Sequence, residues 1–322
     1  MKSIQATAFG GPEVLTIVDV PVPTPKAGEA LVKLAAAGIN YTDITLRNGK
    51  RPGATVPFSP GVEGAGTVEA IGAGVTDVAP GDRVMYAMAP GSYAEYACVP
   101  AATLVHVPAD MDIFEAAALP LQGFTAHYLL HEFRKVGPGS TVLVHAVAGG
   151  VGLLLTQYAT HLGARVIGTT SSTEKAAKAK AVGAHDVIIY TKTDFAEEVK
   201  KLTDGTGVDL ILDAVGKTTF PGDMQAAKTR GNIVIYGGAS GPADPVSPNS
   251  FSAKGLTVSG ASLPQYIATR ADILRRADDL MAGIKAGWLK LSIERIFSLE
   301  EAGEAHRLLE SRATSGKLLI KL

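Results

Sequence analysis

Thr141-Val142-Leu143-Val144-His145-Ala146-Val147-Ala148-Gly149-Gly150-Val151-Gly152 is the stretch that decides the fold. A short β-branched run, Thr141 to His145, meets a cluster of glycines at Gly149, Gly150 and Gly152, and an apolar helical run follows from Val151 to Leu162. Strand, tight turn, helix is the arrangement that offers bare backbone N–H groups and a positive helix end to a phosphate. Glycines let the backbone approach a pyrophosphate and let the helix pack closely on its strand. The spacing is Ala146-x-x-Gly149-x-x-Gly152, with Val147 where the first glycine of G-x-G-x-x-G would stand. The strand before and the helix after support a dinucleotide site.

The next strand, Arg165–Thr169, carries the phosphate state of that dinucleotide. A site for NAD places an acid at the strand end, about 20 residues past the motif, on the ribose 2′-OH. Here the positions read Thr169, Thr170, Ser171, Ser172 and Thr173, with Lys175 just beyond. Hydroxyls and an ammonium suit a 2′-phosphate, so the sequence favours NADPH over NADH. Glu174 is the dissenting residue, and Ser171–Ser172 also suits a helix N-cap.

Outward from this motif, strands are expected at 186–190, 208–213, 232–237 and 256–260, alternating with helices. Such alternation means βαβ units and a parallel, doubly wound sheet. Before residue 110 the texture differs: short β-like runs (30–35, 66–71, 83–86, 103–107) broken by Gly and Pro turns suggest a compact β-barrel-type domain. Asp112 with Glu115, and Ser298 with Glu301, read as helix starts. A helix over 272–284 presents Ile273, Leu274, Ala277, Leu280, Met281 and Ile284 on one face, and a last strand is expected over 317–322. The tail after Ser262 is too small for its own core. The expected plan is an α/β chain with a Rossmann domain, 123–262, inserted into a catalytic domain made of 1–122 and 263–322.

The 322 residues carry a net charge of −1, from 30 basic and 31 acidic side chains. That balance attracts neither nucleic acid nor an anionic membrane. The N-terminus lacks a signal-peptide pattern, and no apolar run reaches membrane-spanning length. Cys98 is the single cysteine, which excludes an internal disulfide and suits a reducing, cytoplasmic setting.

Several stretches together resemble the zinc-free quinone oxidoreductases of the zeta-crystallin type, within the medium-chain dehydrogenase/reductase superfamily. They are Gly38–Asp43 (GINYTD), Pro60–Gly66 (PGVEGAG), Gly91–Tyr96 (GSYAEY), Leu119–Ala126 (LPLQGFTA), His145–Gly152, Asp213–Gly216 (DAVG), Tyr236–Gly238 (YGG) and Leu309–Gly316 (LESRATSG). The resemblance covers essentially the whole chain and implies a GroES-like catalytic domain around the Rossmann domain. It implies that Ala146, Gly149, Gly150, Val151 and Gly152 hold the pyrophosphate. Ser171, Lys175 and Tyr190 would surround the 2′-phosphate. Asn40, Gln122, Thr125, Val215, Tyr236, Gly237, Gly238, Leu263 and Arg312 would line the nicotinamide end. Asn40 and Tyr41 are the candidates for orienting a substrate carbonyl.

Zinc-dependent members of the superfamily carry Cys where this chain has Asn40, and His where it has Val62. Zinc requires three or four Cys, His or carboxylate ligands, so no metal is expected, and Glu63 reads as a structural carboxylate. His127 and His131, at i and i+4, have no third ligand nearby and read as neighbours on a helix face. Ser172-x-x-Lys175 follows a Rossmann strand and is no hydrolase motif. None of the nine tyrosines has Lys four positions on, which excludes the short-chain dehydrogenase pair. Without a metal acid, electron-poor acceptors such as quinones or α,β-unsaturated carbonyls are the expected substrates. The substrate loop departs from the family at Thr45 and Arg51, where tyrosines are common. Two other readings stand beside an NADPH:quinone reductase: an enone or trans-2-enoyl reductase on the same fold, and a crystallin-like structural or RNA-binding protein. A homodimer is expected through the uncharged, β-prone edge strand at Leu256–Gly260.

Overall fold

The computed structural model describes all residues, 1–322, as two compact units. The first comprises 1–122, 267–277 and 291–322, and the second 123–266 and 278–290. No helix is long and apolar enough to cross a membrane.

In the first unit the long strand Glu29–Ile39 is the organiser. It pairs antiparallel with Glu63–Ile71, with Tyr96–Pro100 and with the last strand, Lys317–Lys321. Ile293–Phe297 lies parallel beside that last strand, and Arg83–Ala87 continues the sheet beyond Glu63–Ile71. Side chains from these strands fill two cores. One gathers Val32, Leu34, Val68, Val84, Tyr86, Val99 and Leu104. The other gathers Ile4, Ile39, Tyr93, Phe297, Leu318 and Ile320, with Ala302 and Ala305 of helix Ala302–Glu310. Tail residues therefore complete a core begun by the first forty residues. The two expected helix starts form: Asp112 accepts from the Phe114 and Glu115 N–H groups, and Glu301 accepts from the Ser298 N–H.

In the second unit six parallel strands stand in the order 186–189, 165–170, 141–144, 208–213, 227–235, 257–260. The chain starts in the middle, winds to one edge, then returns to wind to the other. The direction switches beside Thr141–Val144. In such sheets ligands bind outside the carboxyl ends of the strands at this point. Leu143, Ile167, Ile188, Ile211 and Ile233 form the core on the sheet, with Val199 and Phe220 from the covering helices.

The division differs from the sequence-based one in two places. Residues 263–266 and 278–290 go with the second unit. Tyr266 stacks on Tyr128 at 4.1 Å, Trp288 stacks on His161 at 3.9 Å, and Gln157 bonds both backbone groups of Lys290. Helix Arg270–Lys285 thus begins in one unit and ends in the other.

Candidate functional site

The second unit presents three loops at the carboxyl ends of its central strands. The first is the glycine turn. Ala146 takes a left-handed φ of 51°, and its carbonyl accepts the Gly149 N–H at 2.8 Å. Helix Gly150–His161 starts at Gly149 with no side-chain cap; its first internal bond runs from Leu153 N–H to the Gly149 carbonyl. The N–H groups of Gly150, Val151 and Gly152 meet no acceptor in the chain. Helix starts leave such donors open, and here nothing in the protein closes them. At Gly152 an added Cβ would sit 2.7 Å from the Val147 carbonyl oxygen and closer still to that of Ala146. The turn can close this tightly only over a bare Cα.

The second loop follows Arg165–Thr170. Ser172 Oγ accepts the Lys175 N–H and caps helix Thr173–Ala181. The Tyr190 N–H bonds the Thr170 carbonyl, and the Thr191 hydroxyl bonds the Ser171 carbonyl. Ser171, Lys175 and Tyr190 are thereby brought to one corner of the sheet. Lys175 is partly buried, Tyr190 is half exposed, and Glu174 is exposed. The donor set is hydroxyl, ammonium and backbone N–H, which fits a phosphate.

The third loop group contains Val215 and Tyr236–Gly238. Asp213, fully buried, accepts the Val215 and Gly216 N–H groups and the Thr219 hydroxyl. The Ala239 and Ser240 N–H groups bond the carbonyls of Ala214 and Val215, which lays the two loops side by side. Leu263 and Thr125 are buried in this unit.

Beneath the turns lies a polar layer that sequence reading did not find. His145, 1% exposed, places Nδ1 2.8 Å from Thr169 Oγ1 and Nε2 2.7 Å from Asp223 Oδ1. Burial pushes the Asp223 carboxyl up to about 6 against the pull of His145, and neighbouring Asp213 adds to the push. For His145, burial opposes the charged form, but the charge and hydrogen bond of Asp223 outweigh it and raise its pKa.

The first unit builds a second polar cluster around Asn40. The Asn40 side chain donates Nδ2–H to Glu63 Oε2 at 2.8 Å, and its Oδ1 accepts from Lys317 Nζ at 2.7 Å. Lys317 also bonds Glu63 Oε2 at 2.5 Å, and Glu63 Oε1 accepts the Leu121 N–H at 2.7 Å, just before Gln122. Lys317 and Glu63 are 2% and 0% exposed. The amide of Asn40 cannot flip, because Lys317 demands its oxygen and Glu63 its nitrogen. Lys317 is 254 residues from Glu63 in the chain, and sequence offered no signal for it.

The cluster runs on. Asp43 accepts the Asn40 N–H at 2.8 Å and faces the Tyr93 hydroxyl, whose oxygen lies 3.1 Å from His306 Nε2. His306 Nδ1 meets Arg47, which reaches Glu310. Burial pushes Asp43 up to about 7. Burial beside the Arg47 charge drops His306 to about 3, so it stays neutral. Tyr41 opens helix Tyr41–Arg47 and is exposed. Arg312, at φ 57°, lies exposed in the loop before Lys317–Lys321. Val62 is buried and apolar beside Glu63. His127 bonds Asp279 and stacks on His131 at 4.3 Å. No three His, Cys, Asp or Glu side chains gather as a metal site.

Two family models match the chain: an alcohol dehydrogenase GroES-like domain over residues 26–109 and a zinc-binding dehydrogenase domain over 150–279. A quinone oxidoreductase of Pseudomonas aeruginosa is 40% identical over 99% of each chain. This chain belongs to the quinone oxidoreductase family. That places it in the medium-chain dehydrogenase/reductase superfamily, with a GroES-like first unit and a Rossmann-type second unit. Within the family, the 2-haloacrylate reductase of a Burkholderia species is 39% identical, over 97% of this chain and 96% of its own. The crystal structure of Escherichia coli quinone oxidoreductase complexed with NADPH superposes with a TM-score of 0.97 at 36% identity, covering 100% of both chains. The zinc in the second model's description finds no ligand set among the residues of this family member.

Proposed function

We propose that this chain is an NADPH-dependent, zinc-independent oxidoreductase that reduces quinones. The observation that carries the reading is the pair of anion-ready turns at the carboxyl ends of two adjacent parallel strands. Three helix-start N–H groups lie open at Gly150–Gly152, and a Ser171–Lys175 turn carries no acid at its strand end. NADPH, when bound, supplies the hydride. Ala146 and Gly149–Gly152 hold the pyrophosphate, and Ser171, Lys175 and Tyr190 hold the 2′-phosphate. Gln122, Thr125, Val215, Tyr236–Gly238, Leu263 and Arg312 serve the nicotinamide end. In the first unit Lys317 and Glu63 fix the Asn40 amide in one orientation, and Tyr41 offers an exposed hydroxyl to a substrate carbonyl. An acceptor that is already electron-poor needs little more acid assistance than this. The Burkholderia relative is named for a halogenated, carboxylate-bearing alkene, which favours an activated alkene as the second substrate class.

The strand Thr257–Gly260 pairs on one side only, with Ala227–Ile235. Its open, uncharged edge suits antiparallel pairing with a second copy about a two-fold axis, so the working form is a homodimer. The lone Cys98 fits a cytoplasmic setting.

Titration with NADPH and NADH tests the cofactor assignment. A charged hydrogen bond is worth about 1.5–3 kcal/mol, so Lys175→Ala is expected to weaken NADPH about 10- to 100-fold and leave NADH nearly unchanged. Equal affinities for both cofactors in the unaltered protein would overturn the assignment.

A further inference from the structure

His145 lies below the two phosphate turns, reaches no solvent, and has no part in the function proposed above. Its surroundings join those turns at three places. The Val147 side chain sits against the bare Cα of Gly168, where a Cβ would meet Val147 Cγ1 at 2.6 Å. The Val147 N–H bonds the Thr169 carbonyl at 3.1 Å. The third tie is the imidazole itself, with Nδ1 on Thr169 Oγ1.

The other ring nitrogen is equally committed. Nε2 faces Asp223 Oδ1 on helix Phe220–Ala226, and the ring edge meets Phe195 at 4.8 Å between centroids. An ionised carboxylate only accepts, so Nε2 carries a proton, and the orientation of the ring is set from that side. Asp213 is the remaining charged group near the ring. Asp223 Oδ2 is buried without a partner. A carboxylate held in this way contributes little to stability by itself; its evident effect is to aim the imidazole at Thr169.

Thr169 is the penultimate residue of the strand Arg165–Thr170 that leads into the 2′-phosphate turn. Ser171 is two residues on, and Ser172 begins the helix that carries Lys175. A shift of the Thr169 side chain relative to the glycine turn therefore moves the 2′-phosphate donors relative to the pyrophosphate donors. We propose that His145 is a positioning residue that registers the 2′-phosphate turn against the glycine turn and so sets the preference for a 2′-phosphorylated dinucleotide. This rests on the assignment of those two turns to NADPH.

The test separates the two ring nitrogens. H145N places an amide at the level of Nδ1, keeping the Thr169 side and cutting the Asp223 side; H145Q does the reverse. T169V removes the hydroxyl at nearly constant shape and remains informative if a His145 variant does not fold. Dissociation constants for NADPH and NADH are measured by fluorescence titration, with thermal melting beside them. H145Q and T169V are expected to weaken NADPH by about threefold to tenfold, the range a lost neutral hydrogen bond gives. NADH should change far less, and H145N should keep most of the preference. A merely structural role would lower the melting temperature of all three and leave the NADH-to-NADPH ratio as in the unaltered protein. An unchanged ratio in H145Q and T169V overturns the proposal, as does a loss in H145N equal to that in H145Q. An unaltered protein that binds NADPH no better than NADH overturns the cofactor assignment and this proposal with it.

Discussion

Replacing Gly152 by alanine puts one methyl group where the glycine turn has no room. The new Cβ would meet the Val147 carbonyl oxygen at 2.7 Å and carbon at 2.8 Å, with the Ala146 oxygen nearer still. Ordinary contact begins at 3.4 Å, so the gap must open by about 0.7 Å or more. All three atoms are backbone of the turn itself, so no side-chain rotation relieves the clash. Overpacking a tight site costs about 1–3 kcal/mol. Taken up by the phosphate-holding backbone, that is about a 5- to 150-fold loss of NADPH affinity. Gly149→Ala is the internal control. Its Cβ would lie 3.2 Å from the Ala146 oxygen, and its φ of −75° is open to any residue, so at most a few-fold loss is expected. Affinities come from NADPH fluorescence titration, and circular dichroism shows that both variants are folded. Unaltered NADPH binding by folded Gly152→Ala, or equal damage by Gly149→Ala, would show that the bare Cα of Gly152 does not shape the phosphate turn.

Lys317→Met strands the buried Glu63 carboxylate with only neutral donors. Breaking a buried pair costs about 3–5 kcal/mol, and adding Glu63→Gln should return most of it in urea unfolding; a single variant as stable as the parent would contradict this. Asp43 titrates near 7 when folded against 3.8 as a free side chain, so the folded form keeps a proton that the unfolded form has lost, and this residue's contribution falls as pH rises through that window. Asp43→Asn should therefore gain stability relative to the parent between pH 4 and 7, by up to about 4 kcal/mol, and a difference independent of pH would count against it. His306, held near 3, acts oppositely, costing stability as pH falls below about 6.5, so the asparagine variant should expose a steeper acid limb. Val258→Pro removes an edge donor and should yield monomers that still bind cofactor; light scattering that finds the unaltered chain monomeric at micromolar concentration would refute the dimer. Prolonged chelation should leave turnover intact, and stoichiometric zinc lost together with activity would contradict the metal-free reading.

The nucleotide unit was legible because its signals are local. A β-branched strand, glycines at fixed offsets and an apolar helix fall within 22 consecutive residues, 141–162. The hydroxyl-rich turn lies one strand further on. The polar layers were not legible, because their members meet only in three dimensions. Arg47 reaches His306 across 259 positions and Asn40 reaches Lys317 across 277, and a lone Lys or Arg in sequence reads as a solvated charge. His145 stands just before the glycine turn, yet residue order alone does not say that its ring points beneath the turn toward Thr169 and Asp223. The unit boundary was misplaced for a related reason. Residues 278–285 continue an amphipathic helix whose pattern does not change at the boundary, and three-dimensional partners such as His127 for Asp279, His161 for Trp288 and Gln157 for Lys290 assign 278–290 to the nucleotide side.

Rapid mixing of the protein with NADPH and a small panel of quinones and activated alkenes, followed at the absorbance of the reduced nicotinamide, decides whether the chain is an NADPH-dependent quinone reductase. Saturable oxidation of NADPH dependent on a quinone is expected, with NADH a far poorer donor. Tight NADPH binding with no oxidation by any quinone or activated alkene would contradict it.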